Sequence, residues 1–147
     1  MHVMRPTLAV LTAGQLFPQE AGAASVQDLF ERYNLAGTWA ADCTKPASRQ
    51  NPHVVYRLVD AGRLQRETMI EPGKSFDVSV AVSVVESSPG ELTMAWKTGE
   101  GGITNRISIQ QGQMQALDST RESGEKLIVN GRRTRDNSEA PRFRRCP

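Results

Sequence analysis

Downstream of Asn34 the apolar residues recur at every second position, in short runs separated by Gly, Pro, Asn and Asp, and the pattern persists to the C-terminus. That period of two belongs to strands with one wet and one dry face. Strands are predicted near residues 36–43, 54–60, 63–70, 75–86, 91–98, 103–110, 113–118, 126–133 and 141–146. No interval between them is long enough for a crossover helix, so the sheet must be antiparallel, with sequence neighbours side by side. The turns agree: Ala61-Gly62, Glu71-Pro72-Gly73-Lys74, Ser88-Pro89-Gly90 and Gln111-Gly112 are tight hairpin connections. Pro fixes φ in such turns and Gly supplies the positive φ that follows. An open meander of eight or nine strands leaves two unpaired edges, which closure removes. The expected fold is therefore an all-β, antiparallel up-and-down barrel of eight or nine strands, with a two-sheet sandwich as the alternative.

The alternation is clearest in Phe76, Val78, Val80, Val82 and Val84, opposed by Asp77, Ser79, Ala81 and Ser83. Leu92, Met94 and Trp96 repeat it, as do Ile103, Ile107 and Ile109, with Asn105 interrupting the apolar face. Taken as the inner face, these runs make Tyr56, Phe76, Val80, Met94, Trp96, Ile107 and Met114 the expected barrel lining. An eight-stranded barrel either fills with side chains or holds one small ligand.

The first residues read as an address. Met1–Arg5 carry one positive charge, Leu8–Phe17 is a compact apolar run, Pro18 breaks it, and Ala21-Gly22-Ala23 is a small-residue cleavage pattern. This predicts a signal peptide over residues 1–23 and a single mature domain over 24–147. The apolar run is too short to cross ~30 Å of hydrocarbon, so no transmembrane anchor is expected. The mature protein is expected in the periplasm or secreted. Cys43 and Cys146 are the only cysteines. In an oxidising compartment two thiols so placed are most simply a structural disulfide, and the C-x-x-C spacing of a redox site is absent.

Between the leader and the strands, Ser25-Val26-Gln27-Asp28 has the form of a capping box, and Val26, Leu29, Phe30 and Tyr33 make one apolar stripe. A helix of about two turns is predicted there, too short to be stable alone. Thr44–His53 is a ten-residue connection with two prolines, a candidate lid or contact surface at one barrel rim, or a proline-braced connector.

The order of these parts resembles a lipocalin or, more broadly, a calycin, through Gly37-x-Trp39 directly after the helical stripe and the long first loop. It is most similar to small exported bacterial lipocalin-like proteins with one Cys shortly after the Trp and another at the C-terminus. In the family the Trp closes one barrel end beneath an Arg from the last strand. The resemblance gives Gly37 and Trp39 structural roles and offers Arg142, Arg144 and Arg145 for the covering arginine, with Arg144 assigned.

Catalytic chemistry is hard to assemble. The mature chain has one His, His53, in the long loop, with no Gly-x-Ser-x-Gly and no free Cys beside it. His53 reads as a loop residue, with haem or metal ligation as the sharper alternative. Glu67, Glu71 and Asp77 are acids expected on a solvated face, and Thr98–Ile103 lacks the strand–loop–helix context of a phosphate loop. No catalytic residue, cofactor or metal site is therefore expected. From Arg121 onward eight basic residues face four acids, whereas residues 24–120 carry nine against eleven. A net charge of +2 is too mild for a nucleic-acid partner. The basic end suits a solvated rim or an anionic partner. The functional expectation is an exported non-enzymatic binding protein, with a small apolar or amphipathic ligand in the barrel. The alternative is a protein–protein interaction module, such as a periplasmic hydrolase inhibitor or an envelope assembly factor.

Overall fold

The computed structural model describes residues 22–147, so most of the expected signal peptide lies outside the described residues. Helix α1 (Val26–Arg32) opens as predicted. The Ser25 side chain accepts from the Asp28 amide, and the Asp28 carboxylate accepts from the Ser25 amide. Its apolar stripe lies against the sheet, with Leu29 1% exposed.

Ten strands follow: β1 (Gly37–Ala40), β2 (His53–Asp60), β3 (Arg63–Glu71), β4 (Lys74–Ser88), β5 (Glu91–Thr98), β6 (Gly101–Gln110), β7 (Gln113–Arg121), β8 (Lys126–Val129), β9 (Arg132–Arg133) and β10 (Arg142–Arg145). Strands β1 to β9 pair in sequence order, and β10 pairs with both β1 and β7. That double pairing closes an eight-stranded antiparallel barrel of β1–β7 and β10. The sandwich alternative does not form. Strands β8 and β9 are an appended hairpin: β7 gives its first half to β10 and its second half to β8. The single strand expected over 126–133 is thus two, divided at Asn130-Gly131, where φ is 50° and 74°. Two consecutive positive φ values are the hairpin turn that Asn-Gly favours.

The inner face of β4 differs from the expectation. Phe76, Val78 and Val82 point outward at 63%, 52% and 60% exposure, and Val80 shares their side, while Ser79 (1%) and Ala81 (8%) are buried inside. Register explains it. Ala81 lies opposite Trp96, and Ser79 opposite Arg66, and cross-strand partners share a face. Trp96 and Tyr56, with ring centroids 6.3 Å apart, occupy the middle of the barrel. Their β4 neighbours must be small, because an interior at crystal-like density has no room for a valine row beside two aromatic rings. A bulge between Ala81 and Ser83 then shifts the phase, and Val84 returns to the inside at 7% exposure.

The core occupies the end of the barrel covered by α1. Leu29, Leu35 and Trp39 close that end over Leu64, Leu92 and Met94, each at most 2% exposed. Among the described residues no helix is long and apolar enough to cross a membrane.

Candidate functional site at the open end of the barrel

At the end opposite α1 the interior changes from apolar to polar. Arg66 on β3 places its guanidinium 4.6 Å from the Trp96 ring centroid and 3.8 Å from the Asp77 carboxylate on β4. Ser79 donates to the same carboxylate at 2.6 Å. Across the barrel, Asn105 on β6 meets Ser119 on β7 at 2.9 Å, and the other end of its amide lies 3.3 Å from Arg66 Nη1, where the amide oxygen accepts a hydrogen bond only once the side-chain amide is turned over. The Asn that interrupted the apolar alternation of β6 is therefore one member of a ring contributed by four strands. Beneath it, burial pushes the Tyr56 hydroxyl up from its usual pKa, against the opposing pull of Arg66. Two donors in this layer, Arg66 Nε and Trp96 Nε1, are buried without a hydrogen-bond partner.

Above the ring lies an open cavity of about 400 Å³, lined by Arg66, Thr68, Asp77, Thr98, Ile103 and Arg121, with Phe76 at its rim. The sequence-expected lining divides. Tyr56, Met94, Trp96, Ile107 and Met114 do point inward, but they are at most 6% exposed and fill the barrel below the cavity. Phe76 and Val80 lie outside the barrel wall. Sequence reading missed Arg66, Ser79, Ser119 and Arg121 at this end and placed Asp77 on the wet face. Only Asn105, the break in an apolar run, signalled a polar interior layer.

The long loop meets the rim through Arg49, whose guanidinium is 5.9 Å from the Phe76 ring. Buried Asn51 holds the loop in shape, accepting from the Asp42 amide at 3.0 Å and donating to the Asp42 carbonyl at 2.9 Å. The Thr44 hydroxyl and amide both donate to the Asp42 carboxylate and hold its pKa down at about 2. His53 begins β2, with its ring Nε2 3.0 Å from the Lys45 carbonyl oxygen.

The chain termini of the barrel are tied at the opposite pole. Trp39 donates to the Leu35 carbonyl at 2.9 Å. Arg145, not Arg144, is the arginine on its side: Arg145 is the register partner of Trp39 and donates to the Ala36 carbonyl at 2.7 Å, whereas Arg144 pairs with Ala40 and faces solvent. The alternation of β10 decides this, since Phe143 must face inward opposite Met114 and carries Arg145 with it. Gly37, at φ 103°, takes a backbone conformation that residues with a Cβ rarely adopt, and this is what the position asks of it, since a Cβ there would meet Arg145 Nε only at an ordinary 3.6 Å. Cys43 and Cys146, 103 residues apart, form the expected disulfide with Cα atoms separated by 5.4 Å.

Fold and cavity together define a class: a closed eight-stranded antiparallel barrel, packed solid at its helix-covered end and open above a polar ring at the other. Comparison of the chain with protein-family models, with curated proteins and with solved structures finds no match.

Proposed function

We propose that this chain is an exported, non-enzymatic binding protein that holds a small amphipathic molecule at the open end of its barrel. The observation that carries the reading is the cavity of about 400 Å³ standing on a hydrogen-bonding floor of Arg66, Asp77 and Asn105. That volume falls in the ordinary range of small-molecule sites, roughly 300–1,000 Å³, and few but directional polar groups are their usual specificity device. The packed lower barrel leaves no room for a deeply buried chain, so the ligand stands with its polar part on the ring and its apolar part against Ile103 and Phe76 at the rim. The likeness to lipocalin-like barrels supports the same end of the molecule as the entrance. Export is supported by the leader over residues 1–23 and by the disulfide, which persists in an oxidising compartment.

Native mass spectrometry of the protein purified from its own host, joined to titration with the fluorescent amphipath 8-anilinonaphthalene-1-sulfonate, tests this. A retained small mass, or probe binding weakened about tenfold by Arg66→Gln, supports it, tenfold being ~1.4 kcal/mol of lost hydrogen bonding. No retained mass together with probe binding indifferent to Arg66→Gln overturns it. The second reading, a protein–protein interaction module, is favoured by one observation: the apolar row of β4 on the outer wall.

A further inference from the structure

Strand β4 is longer than its neighbour on one side. Over its fifteen residues it pairs with β3 from Lys74 to Val80, but with β5 only from Val80 to Ser88. Strand β5 ends at Thr98, where the chain turns back through Gly99-Glu100 and pairs again at Gly101. The stretch Lys74–Val78 therefore has a strand on one side and none on the other, an open edge about 16 Å long at ~3.3 Å per residue. Among the described residues no backbone hydrogen bond reaches it from the β5 side. The mouth cavity runs into this gap. Phe76 and Asp77 stand on opposite faces of β4 and both border it, as do Thr98, Gly99 and Glu100 of the β5–β6 turn. An outward and an inward residue of one strand share a cavity only where the wall is interrupted.

We propose that the ligand of this site is an extended peptide, bound as an added strand along the Lys74–Val78 edge of β4, an inference that rests on the reading of the open barrel end as a binding site. A row of unpaired amides and carbonyls is satisfied most completely by another main chain, and strand addition is how a sheet edge takes one up. Edges are ordinarily blunted by Lys, by Pro or by a charge pointing inward. Here Pro72 and Lys74 stand at the hairpin tip, Ser75–Val78 contains neither, and the inward charge, Asp77, is engaged by Arg66 and Ser79. Met94 and Trp96 fill the barrel below, so a ligand lies along the wall and not down the axis.

Alternation then defines the peptide. Its outward side chains come beside Phe76 and Val78, which are 63% and 52% exposed, and are apolar. Its inward side chains meet the polar ring, which is short of acceptors. Arg66 Nη2 stands 3.8 Å from the Asp77 carboxylate, beyond hydrogen-bond reach, and that carboxylate already accepts from Ser79. Among the described residues every buried side-chain polar atom left without a partner is a donor, Arg66 Nε and Trp96 Nε1 among them. A carboxylate side chain entering beside Arg66 supplies the acceptor in a charge-assisted hydrogen bond. The occupant is thus a strand of alternating apolar and polar residues with an acid on its inner face.

Fluorescence anisotropy with the fluorescein-labelled pentapeptide Val-Glu-Val-Thr-Val, amidated at its C-terminus, tests the added strand. Saturable binding is expected, with displacement by 8-anilinonaphthalene-1-sulfonate. An added strand turns only one row of its amides to β4. Methylating the valine nitrogens and methylating the Glu and Thr nitrogens therefore act unequally, one weakening binding about tenfold and the other leaving it. Val78→Lys weakens it about tenfold with unchanged circular dichroism, whereas Val59→Lys, at an exposed valine on β2, does not. Replacing the peptide Glu by Ala costs affinity in the native protein and none in Arg66→Gln. Hydrogen exchange within Ser75–Val78 slows on saturation with peptide. Equal weakening by the two methylated peptides, indifference to Val78→Lys or unchanged exchange overturns the proposal. Arg66-dependent binding of the fluorescent probe while no peptide binds overturns the added strand and leaves the small-molecule reading standing, and absence of both overturns both. A dimer in sedimentation velocity that Val78→Lys dissolves overturns it in favour of a second copy at the same edge.

Discussion

Ser79 and Ala81 sit inside the barrel because the space across from them is taken by Arg66 and Trp96. Enlarging one of them is therefore costly, and trimming their bulkier outward neighbours is not. Ala81→Leu is expected to lower unfolding stability by ~1–3 kcal/mol through overpacking. Phe76→Ser, outside the wall, is expected to change it by no more than ~0.5 kcal/mol. Urea denaturation of the two variants measures both, and the reverse order would restore the valine row to the interior. At Asp42 the electrostatics are as local. Hydrogen bonds from Thr44 hold its carboxyl down at about 2, below the ordinary carboxylate range near 4. A depressed folded pKa means that the stabilisation is present above pH ~4 and is lost as pH falls towards 2. A carboxyl-detected NMR titration should place the Asp42 midpoint near 2, and Thr44→Val should raise it. A midpoint in the ordinary range would remove the Thr44 contacts from the loop.

At the scale of elements, capping, turns and pairing act together. The capping box starts α1, yet seven residues do not hold a helix, and burial of Leu29 against the barrel does. Strand β10 has only four residues and is held on both sides, by β1 and β7, while the next residue, Cys146, donates its amide to the Thr38 carbonyl at 2.8 Å and closes the disulfide. Cross-linking residues so far apart removes a large loop-closure entropy from the unfolded chain. Reduction is accordingly expected to lower stability by roughly 4–5 kcal/mol, and the melting temperature with it. Equal melting curves with and without reductant would show that β10 stays docked without the sulfur tie. Much of this scale was readable from the chain. Hairpin turns, the cap and the two cysteines are local signals, carried by a few residues whose chemistry permits little else. The split of 126–133 at Asn130-Gly131 was readable too, since Asn-Gly is a strong hairpin signal, but the surrounding alternation masked it.

For the whole molecule the consequence is a gradient from one barrel end to the other. Leu29, Leu35, Trp39, Leu92 and Met94 form a dry pole, and Arg66, Asp77, Asn105 and Thr98 a wet one. Backbone amides of β5 around Leu92 and Met94 should exchange hydrogen only on global unfolding, and those of Thr98–Gly102 at the mouth far sooner. Hydrogen-exchange mass spectrometry resolves the two segments, and uniform protection along β5 and β6 would contradict the gradient. Leu92→Ala at the dry pole is expected to cost ~2–5 kcal/mol, and Thr98→Ala at the mouth under ~1 kcal/mol.

What the amino-acid order determined by itself was the set of local choices: strands of period two, tight turns, antiparallel neighbours, a capped helix and a thiol pair for closure. Each depends on residues a few positions apart, or on there being no third cysteine to compete. What only the tertiary structure decided was which side of β4 is the inside, which terminal arginine stands beside Trp39, and that one end of the barrel is polar. Alternation marks two faces without saying which is buried, and on β4 the more apolar set, Phe76, Val78, Val80 and Val82, is the one left outside. The decision fell to the volume of Trp96 and Tyr56 across the sheet, and to registers that place Arg66, Asp77 and Asn105, far apart in the chain, around one opening.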